Sequence, residues 1–400
     1  MTVAEYSGAT PILDSAILPP KKRSFASLLF GLILGVVFGT ILISEMQRAT
    51  NSNSSADQLI IVFYFAAFTA AIILHELGHL AAGKLIGFRF NSLTIGPFSL
   101  YFEYGRLRFR VRRALPAGGY AGMQVHSIRR LRQRLFIFTI GGPAANLLSG
   151  GVALAVLASV PSSKSWVHFL TIFWMISLVL GIGNLVPVRL GLLYPDGARL
   201  WMLYTSLPKA RRWLSICAIG KQTTAGVQPR DYRRTWLNSA GAVVDSSVDD
   251  FFGNWVAYLA ANDRKDTPAA AHHLERCLRL ASQLGPSLQD TIGLEAAVFS
   301  AWFRNDAQLA SKWRARVKKF NAVPQLMKLR FEISMDCARQ DYISALSRWK
   351  DGFSFIEKLP PTPIKGKLTK SFLEWRDEIR ERECAHSVDT PVAAIGSATR

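Results

Sequence analysis

Cysteine and acidic residues are the scarce groups in this chain of 400 residues. Its four cysteines are scattered over the C-terminal half without a CxxC pair: Cys217, Cys277, Cys337 and Cys384. The pattern excludes a disulfide framework and fits a reduced location that faces the cytosol. Acidic residues number 28 against 48 lysines and arginines, which gives a net charge of +20. No nucleic-acid-binding module accompanies this charge, so no nucleic-acid partner is expected, and a basic membrane loop with a basic C-terminal domain explains it more simply.

Apolar sequence is what the chain has in excess. It makes up 50% of the residues and is concentrated in blocks. Each block can cross roughly 30 Å of hydrocarbon as a helix, so the lipid bilayer is an expected partner. The first block lacks a small-residue cleavage site and is interpreted as an uncleaved anchor. The predicted spans are about Phe25–Ser44, Leu59–Ile86, Leu135–Val160 and Trp166–Val188.

The distribution of arginine predicts the direction of these spans. Residues 89–134 contain ten arginines and a single acidic residue, Glu103. By the positive-inside rule this segment is cytoplasmic. The prediction is therefore a multi-pass protein of the cell membrane with both termini in the cytoplasm.

The segment between the second and third predicted spans contains a hairpin pattern. From Ser99 to Arg112 the sequence alternates around a turn at Gly105, which is typical of a β-hairpin. A solvated cytoplasmic hairpin fits this pattern. A membrane-associated hairpin that offers an edge strand to an extended substrate fits it equally well.

The second span contains a motif that can bind a metal ion. His75, Glu76 and His79 lie in the sequence His-Glu-Leu-Gly-His. Residues four apart share a helix face, so both imidazoles can reach one ion, and Zn²⁺ suits two imidazoles, a carboxylate and one open position. Glu76 can take a proton from water and deliver it to a leaving amine. Three ionisable residues are costly in an apolar span, which disfavours a purely structural histidine pair.

A third metal ligand is expected at the cytoplasmic end of another span. Pro187 ends the fourth span, and Asp196 follows between Pro195 and Gly197. An ordinary Pro-Asp-Gly turn at a membrane exit is the alternative interpretation. Few other acidic residues lie near this depth, so Asp196 is the best candidate for the third ligand.

These motifs together resemble the site-2 protease family of intramembrane zinc metalloproteases. The matching elements are His75–His79, Gly141-Gly-Pro-Ala-Ala-Asn146, and Asn184-x-x-Pro187 followed by Asp196-Gly197. The resemblance covers about Leu59–Leu200. The spacing from Asn184 to Asp196 is longer than in the family pattern, which indicates a subgroup with a longer loop.

The resemblance implies a set of site residues. Zinc would be held by His75, His79 and Asp196. Glu76 would act as the general base. Asn146 and Asn184 would hold the substrate backbone or the oxyanion, and for Asn146 helix packing in lipid is an equal alternative.

The sequence after about residue 200 is soluble in character and shows helical patterns. Pairing the helices gives hairpins that repeat at roughly 37 residues, and either a tetratricopeptide-like stack or a plain helical bundle fits. A stack would expose a concave face for a protein partner. His272 and His273 are adjacent on a helix and face different ways, so a metal site there is not expected. The predicted helices are about Val248–Asn262, Thr267–Leu284, Ser287–Arg304, Ala307–Phe320, Pro324–Arg339, Asp341–Lys358 and Lys367–Arg382.

The expected architecture is an all-α polytopic membrane domain with about four transmembrane helices and a short membrane-associated β-hairpin, followed by an α-helical soluble domain. The expected boundaries are a cytoplasmic tail 1–24, a membrane domain 25–200, a helical domain 201–383 and a disordered tail 384–400. The expected function is that of a zinc metalloendopeptidase acting on membrane-embedded or membrane-adjacent proteins or peptides. The alternative is a catalytically silent membrane scaffold that acts through its helical domain. An intact Glu76 argues against the scaffold.

Overall fold

The chain folds into two compact units. The membrane unit comprises Lys22–Lys221 and Asn238–Asp250, and the helical unit comprises Met1–Lys21, Gln222–Leu237 and Phe251–Arg400. The predicted first span lies largely outside the described residues, as do the loop 161–165 and the residues after Asp389. The computed structural model describes residues 11–19, 35–37, 39–40, 43–44, 47, 60–111, 118–160, 166–189 and 192–389.

Three helices in the described part of the membrane unit are long and apolar enough to cross a membrane. They are α2 (Ile60–Leu85), α3 (Leu131–Ala158) and α4 (Trp166–Leu185), after the short α1 (Pro11–Ser15) of the helical unit. These candidate spans coincide with the second, third and fourth predicted spans. Each of the three packs against the other two. Helix α4 ends two residues before Pro187, which has no N–H to donate and cannot continue the helix.

Helices α2 and α3 approach each other closely at two glycines. A Cβ atom on Gly78 would lie 2.4 Å from the carbonyl oxygen of Gly141. A Cβ atom on Gly141 would in turn lie 2.6 Å from the carbonyl oxygen of Gly78. Small residues at such crossings allow the backbones of membrane helices to come together. Gly78 therefore has a packing role inside the His-Glu-Leu-Gly-His motif.

The segment between α2 and α3 forms a four-stranded antiparallel sheet in the order β3-β2-β1-β4. Strands β2 and β3 are the predicted hairpin, with Glu103 paired to Arg106 across the Tyr104-Gly105 turn. The mostly helical character and the hairpin agree with the prediction, but the expectation of no further strands was wrong, because β1 and β4 were missed. Strand β4, Gly-Tyr-Ala-Gly-Met-Gln, has little local strand character and pairs with a distant strand. The strands are β1 (Arg89–Ile95), β2 (Phe98–Glu103), β3 (Arg106–Val111) and β4 (Gly119–Gln124).

Three helices follow the last membrane span and were not predicted. They are α5 (Asp196–Thr205), α6 (Leu207–Thr224) and α7 (Arg234–Gly241). Helix α5 packs against α3 and α4, and it therefore lies beside the ends of two membrane helices.

The seven helices predicted for the C-terminal part are all present. Helix α14 continues to Asp389, so residues 384–389, which we assigned to a disordered tail, are helical. The helix continues because Arg382-Glu-Cys-Ala385 contains no proline or glycine that would end it. The helices are α8 (Val248–Asp263), α9 (Thr267–Ala281), α10 (Pro286–Phe303), α11 (Ala307–Ala315), α12 (Gln325–Ala338), α13 (Tyr342–Glu357) and α14 (Pro363–Asp389).

One turn recurs in the helical unit. Asp266, Asp306 and Asp341 cap helices α9, α11 and α13, and each side chain accepts a hydrogen bond from a backbone N–H in the first turn. The residue before each aspartate has a positive φ angle. Such caps stabilise a helix by about 1 kcal/mol each. The recurrence agrees with repeated helical hairpins, while a tetratricopeptide-like character stays a prediction.

The N-terminal segment is part of the helical unit. Helix α1 packs against α9, and the side chain of Leu13 is fully buried. The Trp313 Nε1–H donates a hydrogen bond of 3.0 Å to the carbonyl oxygen of Leu13, and Asp14 forms an ion pair with Arg304. The predicted cytoplasmic tail 1–24 therefore contains a folded segment.

The glycine contact between α2 and α3 can be tested by substitution. Gly141→Ala is expected to lower the thermal midpoint of unfolding in detergent, because the added methyl group would lie 2.6 Å from the Cβ atom of Ala82. Overpacking of this kind typically costs about 1–3 kcal/mol. Gly151→Ala, on the same helix, is the matched control because its Cβ atom would meet nothing within 4 Å. Equal melting temperatures for the two variants would contradict the close crossing.

Candidate metal centre

Three side chains from two helices converge on one point in the membrane unit. His75 Nε2 lies 3.0 Å from Asp196 Oδ2, His79 Nε2 lies 3.3 Å from the same oxygen, and the two Nε2 atoms are 3.3 Å apart. Zinc bonds of about 2.0–2.1 Å in a tetrahedral site require ligand atoms roughly 3.3 Å apart. The three atoms therefore have the spacing needed to bind a single ion.

The outer ring nitrogens of the two histidines are held by α3. His79 Nδ1 lies 2.8 Å from the carbonyl oxygen of Phe138, which fixes the proton on Nδ1 and leaves the Nε2 lone pair for a metal. His75 Nδ1 lies 3.2 Å from the amide nitrogen of Asn146. The Asn146 Oδ1 atom is buried without a hydrogen-bond partner. Exchanging the two ends of this amide lets Oδ1 accept a hydrogen bond from His75, so Asn146 is suited to orient that ring.

Space for an ion exists because residue 142 is a glycine. A Cβ atom on Gly142 would lie 2.3 Å from His79 Nε2 and 2.7 Å from His75 Nε2. A methyl group there would occupy the position between the ligand atoms. The donor set and this open space together fit a tetrahedral metal ion. We assigned no role to Gly142 from the sequence, although its separation of four residues from Asn146 puts both on one face of α3.

Glu76 is buried beside the three ligands but is not one of them. Strand β4 restricts its side chain. A Cβ atom on Gly119 would lie 2.4 Å from Glu76 Cγ, and the backbone of Ala121 forms a hydrogen bond with the carboxyl group. Gly119 is a second residue that we missed, because its importance depends on a strand that the sequence did not predict.

Asp196 begins helix α5 instead of lying in the predicted turn, and Pro195 is its N-cap. A Cβ atom on Gly197 would lie 2.1 Å from the carbonyl oxygen of Leu185, so this helix start packs tightly against the end of α4. Burial raises the pKa of Asp196, but the neighbouring His75 and His79 outweigh burial and lower it below its ordinary value. Asp196 is therefore ionised at neutral pH, as a metal ligand must be.

The structure brings together five of the six predicted site residues: His75, Glu76, His79, Asn146 and Asp196. Asn184 differs from them. Its amide nitrogen donates a hydrogen bond of 3.0 Å to the carbonyl oxygen of Leu180 on its own helix.

The comparison with known families agrees with this geometry. Residues 63–164 match the model of Peptidase family M50. The matched segment contains the His75–His79 motif, the sheet and Gly142, whereas Asp196 and α8–α14 lie beyond it. No curated protein and no solved structure matches the chain. Over residues 63–164, about a quarter of its length, the chain is similar to Peptidase family M50, the site-2 protease family.

Proposed function

We propose that this protein is an intramembrane zinc metalloprotease that hydrolyses peptide bonds of membrane-embedded or membrane-adjacent protein substrates. The observation that carries the proposal is the convergence of His75, His79 and Asp196 around the space left by Gly142. Similarity to a metallopeptidase family supports it, as does the location of both histidines in an apolar helix that is long enough to span a membrane.

Each residue around the site has a separate role in the proposed reaction. His75, His79 and Asp196 would hold a zinc ion, which would supply Lewis acidity toward the scissile carbonyl group and toward a water molecule. Glu76 accepts the proton of that water and delivers it to the leaving nitrogen. Phe138 and Asn146 keep the two imidazole rings oriented, so the ligand atoms need no rearrangement. Asn184 stays a proposed contact for the substrate backbone.

Strand β4 is the proposed docking edge for an extended substrate. It pairs with β1 on one side, and within the described residues no strand pairs with its other side. Backbone groups of an edge strand can bind an added strand. Because Gly119 and Ala121 of β4 contact Glu76, a peptide added to this edge would run close to the general base.

The hairpin of β2 and β3 has an apolar face that supports contact with lipid. Its register places Phe98 opposite Val111, Leu100 opposite Phe109, and Phe102 opposite Leu107. Exposed apolar side chains on one face favour insertion into the membrane interface. The arginines of β3 alternate with this set and lie on the opposite face.

The packing of the N-terminal segment supports four spans with both termini in the cytoplasm. Helix α1 belongs to the same folded unit as α8–α14, so residues 11–19 and the C-terminal domain lie on one side of the membrane. If the chain crossed the membrane three times between residues 11–19 and the C-terminal domain, the two would lie on opposite sides. The predicted span Phe25–Ser44 supplies the additional crossing, and the arginine-rich segment 89–134 makes the shared side cytoplasmic.

Metal binding is the first test of this proposal. The purified protein is expected to contain about one zinc ion per chain, and His79→Ala is expected to lose it. Gly142→Ala should also lose zinc, because its methyl group would lie 2.3 Å from His79 Nε2. Gly151→Ala is the control and should retain the metal. Elemental analysis of the four proteins provides the measurement, and full zinc retention by His79→Ala would show that the ligands are wrongly assigned.

The roles of base and ligand can be separated. Glu76→Gln keeps the size of the side chain but cannot accept a proton, so cleavage is expected to fall about 10²- to 10⁴-fold while zinc stays bound. Asp196→Asn is expected to lose both zinc and activity. The measurement is cleavage of a single-span model substrate in detergent, together with zinc content. A parental cleavage rate for Glu76→Gln would refute the mechanism, and no cleavage by the zinc-loaded parental protein would favour the scaffold.

Topology can be measured in cells. A reporter fused after Arg400 is expected to be cytoplasmic, as is one fused before Met1, whereas a reporter inserted near Ser54 should be external. The first two positions serve as mutual controls, because α1 and α14 belong to one folded unit. Termini on opposite sides of the membrane would contradict the count of four spans.

A further inference from the structure

The third ligand reaches the metal site in a different way from the histidines. His75 and His79 are one turn apart in the long helix α2, so their relative position is set by the helix itself. Asp196 instead follows the connection between α4 and α5, whose described residues, 186–189 and 192–195, lie outside the helices and the sheet. Its position therefore depends on whatever holds that connection and the first turn of α5.

One turn after Asp196, Arg199 is held by a buried carboxylate. Both terminal nitrogens of Arg199 donate hydrogen bonds to Asp249, and the Nη2–Oδ1 distance is 2.8 Å. The side chains of Arg199 and Asp249 are only 16% and 5% exposed. The guanidinium group also lies 4.5 Å from the ring centre of Trp213. Two charged hydrogen bonds between the same two groups fix the relative orientation of the guanidinium and the carboxylate as well as their distance.

The stretch before Asp196 contacts the same part of the chain. The Tyr194 hydroxyl group donates a hydrogen bond of 2.7 Å to Asp245 Oδ2. The backbone N–H of Val248 donates one of 2.9 Å to the carbonyl oxygen of Leu192. The segment formed by residues 243–250 (the clamp segment) thus holds the chain on both sides of Asp196.

The clamp segment is itself anchored by Arg212 of α6, which is fully buried. The Arg212 guanidinium group donates to both carboxylate oxygens of Asp245, at 3.0 and 2.9 Å. It also donates to the carbonyl oxygen of Val243 at 2.8 Å and to Ser247 Oγ at 3.1 Å. Because four acceptors share one rigid planar group, the clamp segment has a defined position in the membrane unit.

We propose that the clamp segment positions Asp196 for metal binding, with Arg199–Asp249 as the bond that transmits its position to the ligand. This inference rests on the proposed metal site and adds residues that neither the motifs nor the family match identify.

Zinc affinity is sensitive to such positioning. Metal ligands have to be held within about 0.5 Å of the productive geometry. Substitution of residues that orient metal ligands typically weakens metal affinity by about 10- to 100-fold. Asp249→Asn is nearly isosteric, removes the charge and allows only one of the two bonds to Arg199. We expect it to weaken zinc binding by about this factor, whereas loss of a ligand in His79→Ala abolishes binding.

The experiment titrates zinc into the metal-depleted full-length protein in detergent, in competition with a chelating indicator of known affinity. Glu295→Gln is the matched control. Glu295 in the helical unit is 1% exposed and accepts two hydrogen bonds from Arg330, at 3.2 and 3.1 Å. This control breaks a two-point pair elsewhere in the chain whose carboxylate is also buried, and it should leave zinc affinity unchanged. Arg199→Lys, which keeps the charge but loses the planar fork, should weaken zinc binding in the same direction as Asp249→Asn.

A second measurement separates positioning from catalysis. In excess zinc, Asp249→Asn is expected to recover cleavage of the model substrate, because its ligands and Glu76 are intact. Parental zinc affinity in folded Asp249→Asn or Arg199→Lys, or equal weakening in Glu295→Gln, would overturn the clamp proposal. Parental affinity in His79→Ala would instead overturn the metal site itself, so the two failures are distinguishable.

Discussion

A polar site inside an apolar helix bundle must satisfy every buried hydrogen-bonding atom internally, and the rest of this structure depends on that requirement. An unsatisfied polar group in hydrocarbon costs several kcal/mol. In the membrane unit, the outer nitrogens of His75 and His79 lie within hydrogen-bonding distance of groups on α3, while their inner nitrogens converge with Asp196. The same contacts that make the histidines tolerable in the membrane also aim their lone pairs at one point.

Glycine residues, which have no side chain, determine the shape of the site as much as the polar side chains do. Gly78 and Gly141 let the backbones of α2 and α3 approach, and Gly142 then leaves the space between the ligand atoms open. Gly119 allows strand β4 to run against Glu76. A glycine-rich motif in a membrane helix usually indicates helix packing alone. In this protein, adjacent glycines perform two tasks, since Gly141 contacts a helix backbone and Gly142 faces the ligands.

The two histidines come from one helix, whereas Asp196 begins another helix, whose Arg199 is bonded to Asp249 in the segment 243–250. Charged pairs of this kind stabilise little in a buried environment, because desolvation offsets their attraction, but they impose geometry. In the helical unit, burial of Leu13 from α1 similarly joins segments that are far apart in sequence.

The sequence alone predicted the features that depend on residues close together in the chain. Apolar runs predicted spans two to four, and the spacing of His75, Glu76 and His79 in one helix predicted the motif's chemistry. The scarcity of other acidic residues near that depth predicted Asp196 as a third ligand, and the structure places it beside both histidines. Tertiary structure decided the pairing of β1 with β4, the partner of Asn146 and the contact of Arg199 with Asp249. These pairs are separated by tens of residues, and neither helical periodicity nor strand alternation carries information about which distant groups meet once the chain is packed.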